Sequence, residues 1–161
     1  MSAFKRSLPS LGARAVSGTP PTIDEARLAL GGRIDAHDAA HVGSLARFRD
    51  ARGRDVEGVV VCDAGGELDV WIDDGRFQRL GRDRVELAPM RVEHALADVA
   101  ADARLHAGLR EGQRIRFLTR DGANREGILA ERCRYGALVS HEGRVIAVSF
   151  RRLWPLGHDD A

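Results

Sequence analysis

A pattern of glycine, arginine, phenylalanine and glutamate that occurs twice is the feature that most limits how this chain can fold. Residues 43–61 align without gaps with residues 112–130, at an offset of 69 residues, and six of the nineteen aligned pairs are identical. The identical pairs are Gly43/Gly112, Arg47/Arg116, Phe48/Phe117, Gly53/Gly122, Glu57/Glu126 and Gly58/Gly127. Because this period is too long for a solenoid repeat, we predict two related units that arose by internal duplication.

Each unit has the pattern of a short antiparallel β-structure, with runs of Val, Ile, Phe and Leu broken by Gly and Asp. Past the ungapped block, residues 74–76 match residues 142–144 at an offset of 68, and residues 87–89 match residues 153–155 at an offset of 66. The Asp-Gly pair that begins the first of these segments indicates a hairpin, because a type I′ turn needs positive φ at both central residues.

Four or five strands are expected in each unit. The predicted strands are Ala46–Arg49, Val59–Cys62 and Leu68–Ile72 in the first unit and Ile115–Thr119, Ile128–Arg132 and Ala137–Ser140 in the second, each set followed by a fourth strand and a closing segment. A closed SH3-like barrel is the favoured solution, because closing the sheet removes edges that would otherwise pair with other chains. The predicted fold class is therefore mainly β, with two SH3-like barrels.

Helical segments are predicted before and between the barrels. Thr22 and Glu25 have the spacing of a capping box, so a helix is expected to begin within a short helical segment of residues 23–42. Apolar residues recur at helical spacing from Arg91 to Ala107, which predicts a helix in the linker of residues 91–109.

The remaining boundaries follow from these segments. Residues 43–90 form the first barrel and residues 110–156 the second. Residues 1–22 contain several prolines and glycines and no acidic residue, so we predict a flexible tail there.

The outline resembles the Tudor and KOW-type branch of the SH3-like barrels. The elements that carry the resemblance, in the order found in that branch, are Gly43-x-x-Ala-Arg-Phe48, Gly58-Val59, Asp74-Gly75 and Val85-Glu-Leu87. The resemblance covers residues 43–89 and 112–156 and implies a binding module rather than an enzyme.

Charge distinguishes the two barrels. Residues 43–89 hold eight arginines against ten acidic residues, a net charge of −2, whereas residues 110–156 hold ten arginines against five, a net charge of +5. Basic strand surfaces with aromatic side chains bind single-stranded nucleic acid, because arginines contact phosphates and rings stack on bases. We therefore expect RNA or DNA as the partner of the second barrel. The candidate binding residues are Arg116, Arg132, Arg134, Tyr135, Arg151 and Arg152.

Several interpretations stay open. Phe117, Phe150 and Trp154 accompany the basic residues either as core or as surface side chains. The opposite charges of the barrels also fit a protein-interaction module or a homo-oligomer in which acidic and basic barrels pair. Arg110-x-x-x-Arg114 and Glu131-x-Cys133-x-x-Gly136 resemble the two motifs of PilZ cyclic-dinucleotide receptors, from which they depart at both acceptor positions of the second motif.

No catalytic motif was found, so a non-catalytic protein without cofactor is expected. His37 and His41 have the i, i+4 spacing of two helical metal ligands, but no third ligand accompanies them, and we predict no metal site. Cys133 is interpreted as a small buried side chain. Two cysteines form no disulfide framework, and the basic N-terminus has no apolar segment after it, which predicts a cytoplasmic protein without a membrane partner. Arginine far outnumbers lysine, which suggests a GC-rich bacterial genome.

Overall fold

Two compact units make up the described part of the chain, and each is built on a five-stranded antiparallel sheet. The structure is a computed structural model that describes residues 22–34 and 39–157. Of these, residues 39–107 belong to the first unit, and residues 22–34 together with 108–157 belong to the second. The mainly β class predicted from the sequence is confirmed.

The first unit contains one sheet and one helix. Its strands, in the sheet order β4-β3-β2-β1-β5, are β1 (Leu45–Arg49), β2 (Asp55–Ala64), β3 (Glu67–Asp73), β4 (Arg76–Gly81) and β5 (Glu86–Ala88). A 3₁₀ helix, Arg82–Arg84, connects β4 to β5. Its helix, Ala97–Ala107, packs against β2. We call this helix α2, because the helix α1 of the second unit comes earlier in the chain.

The second unit repeats this arrangement. Its strands, in the sheet order β10-β6-β7-β8-β9, are β6 (Arg114–Leu118), β7 (Asn124–Cys133), β8 (Gly136–His141), β9 (Arg144–Ser149) and β10 (Leu153–Pro155). A 3₁₀ helix, Phe150–Arg152, connects β9 to β10. The helix α1, Ile23–Ala29, packs against β8 and β9 although it precedes the first unit in the chain.

The sheets are open, so the expectation of closed barrels is wrong. In the first sheet β4 and β5 are the two edges, and each pairs with one neighbour. The chain passes from one edge strand to the other through the 3₁₀ helix Arg82–Arg84. Because this segment is helical, it does not pair with either edge strand as a further strand would. In the second sheet Phe150–Arg152 makes the same passage from β9 to β10.

Strand registers agree between the two sheets at the predicted offset. Leu45 pairs with Val59 and Arg114 pairs with Ile128, and each long strand has a register shift at the corresponding place, next to Val60 and Leu129 respectively. The offset of 69 residues therefore describes backbone pairing as well as identity.

The closing strands correct the alignment of the last segment. Ala46 pairs with Leu87, while Ile115, its counterpart, pairs with Pro155. The structural offset there is 68 residues, so the predicted offset of 66 is wrong. Aligning the two Leu-x-Pro segments by sequence therefore gives a register that differs from the structural one by two residues. A shift of two residues keeps each side chain on the same face of the strand.

Local hydrogen bonds determine where each helix begins. Thr22 and Glu25 form both bonds of the capping box, which confirms the predicted start of α1. The predicted helix start at Arg91 is wrong, because the ring of His94 accepts the Leu96 amide 3.0 Å away and the chain turns there instead. Val92 is accordingly 91% exposed. The predicted tail lies, apart from Thr22, outside the described residues.

Apolar side chains fill the concave side of each sheet. The first core cluster is Ala46, Phe48, Val60, Leu68, Val70 and Leu80. The second is Leu109, Ile115, Phe117, Leu129, Ala137, Val139, Val148 and Leu153. Phe117 and Phe150 are both fully buried, so of the three aromatic residues left open by the sequence, two belong to the interior.

Close contact between strands predicts the cost of adding a methyl group at Gly127, in the middle of β7. A Cβ there would lie 2.7 Å from the Ser140 carbonyl oxygen and 2.7 Å from Cγ1 of Val139. We expect Gly127→Ala to lower the free energy of unfolding by about 1–3 kcal/mol through overpacking, as measured by urea denaturation.

Gly81→Ala is the matched control for this variant. Gly81 has extended backbone geometry, and its added methyl group would meet the end of the flexible Asp83 side chain at 2.9 Å. We expect a much smaller change in the free energy of unfolding. Equal losses in the two variants would contradict the importance of the contact at Gly127.

Candidate nucleic-acid interface

The turn between β7 and β8 carries two of the candidate residues, Arg134 and Tyr135, and is joined to residues 22–34, here called the N-terminal segment. The Arg134 amide donates to the Gly32 carbonyl and the Tyr135 amide donates to the Leu30 carbonyl, each at 3.0 Å. These bonds make the N-terminal segment an additional border of the second sheet.

Tyr135 lies in this turn, and its ring packs against the N-terminal segment. A methyl group added to Gly31 would lie 2.5 Å from Cε2 of the Tyr135 ring, and Gly31 has a φ of +81°. Glycine is required there both by the backbone conformation and by the close approach of the ring. Tyr135 is therefore half-buried rather than projecting into solvent.

Two candidate arginines hold neighbouring loops. Arg132 donates from Nη1 to the Leu109 carbonyl at 2.8 Å, and Arg152 donates from Nη2 to the Thr119 carbonyl. A guanidinium group has five N–H donors, so these bonds use part of its capacity and fix its position. Both side chains thus have a structural role whatever else they contact.

A partly buried ion pair that the sequence did not reveal anchors α1 to the second sheet. Arg27 donates from Nε and Nη2 to the two carboxylate oxygens of Glu131, at 2.5 and 3.0 Å. The hydrogen bond from Arg27 lowers the pKa of Glu131 below its ordinary value, and burial partly opposes that effect. No spacing rule could have found this pair, because its partners are 104 residues apart.

Cys133 is buried beside the same carboxylate. Burial, together with the negative charge of Glu131, raises the pKa of the Cys133 thiol to about 12. A thiol with that pKa is protonated at neutral pH and unreactive, which confirms the interpretation of Cys133 as a small buried side chain. Glu131 and Cys133 of the PilZ-like segment are therefore both engaged beneath α1, and Arg114 forms an ion pair with Glu126 at 3.1 Å.

The other predicted arginines gather at the opposite end of β7, around the turn between β6 and β7. Leu153 pairs with Phe117, so the 3₁₀ helix that precedes Leu153 lies beside this turn. The bond from Arg152 to Thr119 joins the two. We call this region the basic end and define it by the residues Arg120, Arg125, Arg151 and Arg152.

One carboxylate, Asp121, lies within the turn of the basic end. The hydroxyl of Thr119 donates a hydrogen bond to Asp121 and lowers the pKa of its carboxyl, which is therefore ionised at neutral pH. Four arginines against this single turn carboxylate give the basic end a net positive charge.

Arg116 and Trp154 adjoin the basic end on the outer face of the second sheet. They are partners in the pairing of β6 with β10, and the guanidinium carbon of Arg116 lies 5.0 Å from the centre of the Trp154 ring, a cation–π distance. Arg116 also donates to Oδ1 of Asn124 at 3.2 Å. Trp154 is half-buried, so part of its ring is accessible.

The six candidate residues therefore do not form one patch. β7 has ten residues, so the turns at its two ends are separated by a strand whose extended length is at most about 30 Å. Arg132, Arg134 and Tyr135 lie at the end bordered by the N-terminal segment. The remaining candidates, Arg116, Arg151 and Arg152, lie at or next to the basic end.

Two arginines of the first unit have carboxylate partners across their strands. Nε of Arg47 lies 2.9 Å from Glu57, and Nε of Arg79 lies 3.0 Å from the buried carboxylate of Asp69. In the second unit, by contrast, the side chains of Arg120 and Arg144 make no ion pair with any residue in 22–34 or 39–157. Arg114 of the second unit is itself paired with Glu126, so the charge asymmetry between the units lies in their residue counts rather than in how their arginines are paired.

The first unit contains a polar cluster that the sequence analysis did not identify. Nδ1 of His41 lies 2.7 Å from the buried carboxylate of Asp63, and Nε2 lies 2.8 Å from Nη2 of Arg82. His41 is thus tied to Asp63, and its proposed helical partner His37 lies outside the described residues. Within those residues no group of three or more His, Cys, Asp or Glu side chains could hold a metal ion.

No protein-family model matches the chain, and no curated protein matches it. Neither of the helices in the described ranges is long and apolar enough to cross a membrane.

The Arg27–Glu131 pair predicts how stability depends on pH. Because the pKa of Glu131 is lowered in the folded state, its contribution is present above the ordinary value of 4.5 and is lost as the pH falls through the folded-state pKa. Between about pH 7 and about pH 3, the wild type should therefore lose more stability than Glu131→Gln. Urea denaturation across this pH range measures the difference.

Glu142→Gln is the control for this experiment, because the Glu142 side chain is 83% exposed. We expect that variant to follow the pH dependence of the wild type. If Glu131→Gln also follows it, the ion pair does not stabilise the docked helix.

Proposed function

We propose that this chain is a non-catalytic adaptor of two SH3-like units, related by internal duplication, and that its second unit binds single-stranded RNA or DNA through the basic end. The observation that carries the proposal is the gathering of four arginines around one turn, next to the Arg116–Trp154 pair. Binding takes place in solution at the protein surface and needs no cofactor.

Phosphate contact supplies most of the binding energy. Guanidinium groups match the geometry of phosphate oxygens and donate two parallel hydrogen bonds to them. Arg120 and Arg125 are exposed, and Asp121 is the carboxylate of the same turn. A polyanionic strand that approaches this turn therefore meets an excess of positive charge and releases its counterions.

Trp154 and Arg116 supply a surface for a base. A ring stacked on an arginine presents flat, polarisable groups, and bases of a single strand stack on such groups regardless of sequence. The bases of a duplex are already stacked on one another, so a single strand is the favoured ligand. Asn124, which holds Arg116 in place, lies in the same region.

Internal duplication is supported by structural details that two unrelated sheets would not be expected to have in common. Gly58 and Gly127 occupy matching places in β2 and β7, and an added methyl group at either one would lie within 2.7 Å of a neighbouring carbonyl oxygen. The register shifts, the hairpins and the 3₁₀ helices also recur in the same order. SH3-like barrels have in common a first strand, a long bulged second strand and a closing turn. Both units have these elements in this order, although their sheets stay open.

The salt dependence of binding tests the proposal. With labelled single-stranded oligonucleotides of about 16 nucleotides, we expect fluorescence anisotropy to show affinity that falls steeply with salt. The double variant Arg120→Ala/Arg151→Ala should weaken binding and reduce the slope of log affinity against log salt by about 1.4, because about 0.7 is lost for each phosphate contact removed.

Arg52→Ala/Arg84→Ala is the matched control. These exposed arginines lie in the corresponding turn and 3₁₀ helix of the first unit, and we expect their removal to leave binding unchanged. Circular dichroism verifies that each variant is folded. Absence of a complex at low salt, or equal effects of the two double variants, would refute the proposal. A salt-sensitive oligomer without bound nucleic acid would favour self-association instead.

A further inference from the structure

One edge of the second sheet lacks the features that keep exposed strands from pairing with another chain. An edge strand presents unpaired backbone N–H and C=O groups, and proteins protect such strands by keeping them short or by placing charged residues or proline on them. Among the described residues, the edge strands of the two sheets are β4, β5, β9 and β10. Two of these, β5 and β10, have three residues each, and β10 ends in Pro155.

The other two edge strands, β4 and β9, occupy corresponding places but differ in sequence. β4 reads Arg-Phe-Gln-Arg-Leu-Gly, and its two arginines, Arg76 and Arg79, are exposed. β9 reads Arg-Val-Ile-Ala-Val-Ser, so the residues after Arg144 are uncharged. Ala147 is the fourth residue of β9, as Arg79 is of β4. The charge that protects this edge of the first sheet is therefore missing from the second.

The backbone groups of β9 that point away from β8 belong to Val145, Ala147 and Ser149. The Phe150 amide donates to the Tyr135 carbonyl at 3.0 Å, where the ladder between β8 and β9 ends. Alternate residues of an antiparallel strand bond to the same neighbour, so the residues at odd positions of β9 turn their N–H and C=O groups outward. Although α1 packs against β9, Val145 is 39% exposed and Ala147 is exposed as well. Within residues 22–34 and 39–157, no strand pairs with this outer edge.

We propose that β9 pairs with β9 of a second copy of the chain, antiparallel and across a two-fold axis at Ala147, so that the two five-stranded sheets become one continuous sheet. In this register Ala147 lies opposite Ala147 of the second copy, Val145 lies opposite Ser149, and Ile146 lies opposite Val148. Each pair of outward residues exchanges two bonds, which gives about six backbone hydrogen bonds between the copies.

This register keeps both faces of the joined sheet continuous. Val148 pairs with Ala137 of the second core cluster, and Ile146 packs against that cluster, so both side chains point to the concave side. Val145 and Ser149 therefore point to the other side, because successive residues of a strand alternate between faces. A register shifted by one residue would place core side chains of one copy beside outward side chains of the other.

The residues of β9 suit a copy of the same strand. Antiparallel pairing places the two Arg144 side chains at opposite ends of the contact, whereas parallel pairing in register would bring like charges together. The small side chain of Ala147 lies at the axis, where two copies of Arg79 would repel each other if β4 paired in this way. Each copy uses β9 once, so the association closes as a dimer and does not grow into a fibre.

The oligomeric state of the full chain tests the proposal. We expect sedimentation equilibrium to give a mass that rises from one chain toward two between about 1 and about 100 μM protein, because a contact made mainly by one strand is small. The dimer should persist in about 1 M salt, since backbone hydrogen bonds and apolar contacts are little screened. A dimer that dissociates in salt would contradict the proposal and would indicate pairing of the oppositely charged units.

Variants locate the contact on β9. Ala147→Arg should raise the dissociation constant of the dimer by at least about tenfold, because two arginines would lie side by side at the axis. Ala147→Pro removes an outward N–H group and should also weaken the dimer, without removing a hydrogen bond of the ladder to β8. The matched control is Ala130→Arg, which adds arginine at an exposed alanine of the inner strand β7 and should leave the mass unchanged.

Other outcomes overturn the proposal. Circular dichroism verifies that each variant is folded. A chain that stays monomeric up to about 100 μM has no such contact at the expected strength. A dimer retained by both Ala147 variants, or weakened equally by Ala130→Arg, does not form through β9. The double variant Arg120→Ala/Arg151→Ala should keep the dimer while it loses oligonucleotide affinity, and loss of the dimer in that variant would place the contact at the basic end instead.

Discussion

Close packing of a strand backbone against its neighbour is the contact on which both sheets depend. At Gly58 and Gly127 the absence of a side chain lets the long strand approach the carbonyl of the next strand, and the register shift follows a few residues later. Together these features bend β2 and β7, so that each sheet can enclose an apolar cluster on its concave side. The helices, the 3₁₀ passages and the loops all attach to a sheet that has this curvature.

Sequence patterns predicted the features that depend on interactions between residues close together in the chain. Runs of apolar residues predicted the strands, Asp-Gly predicted a hairpin, and Thr22 predicted the start of a helix, because each signal acts within a few residues. Long-range contacts left no comparable signal. Spacing could not reveal the pairing of Arg27 with Glu131, nor could it reveal the packing of the Tyr135 ring against Gly31. Nor does an alternating pattern indicate whether the edges of a sheet will meet.

The two units have similar strand arrangements but different surface side chains. In the first unit, buried carboxylates such as Asp69 take up arginines, and a helix of the same chain packs on β2. In the second, the buried Leu138 stands at the place of Asp69, and Arg132 stands at the place of Asp63. Strand pairing depends on backbone hydrogen bonds that most residues can make, whereas partner choice depends on a few outward side chains. The candidate site was therefore harder to predict than the sheets.

The N-terminal segment gives the second unit a property that a simple tandem arrangement would lack. Residues 22–34 lie in the chain ahead of the whole first unit, yet they form hydrogen bonds with β7 and with the turn between β7 and β8. During synthesis the first unit can fold as soon as its own strands have emerged, but the N-terminal segment must wait until β8 exists. One unit is therefore assembled from consecutive residues, and the other is completed by residues made long before it.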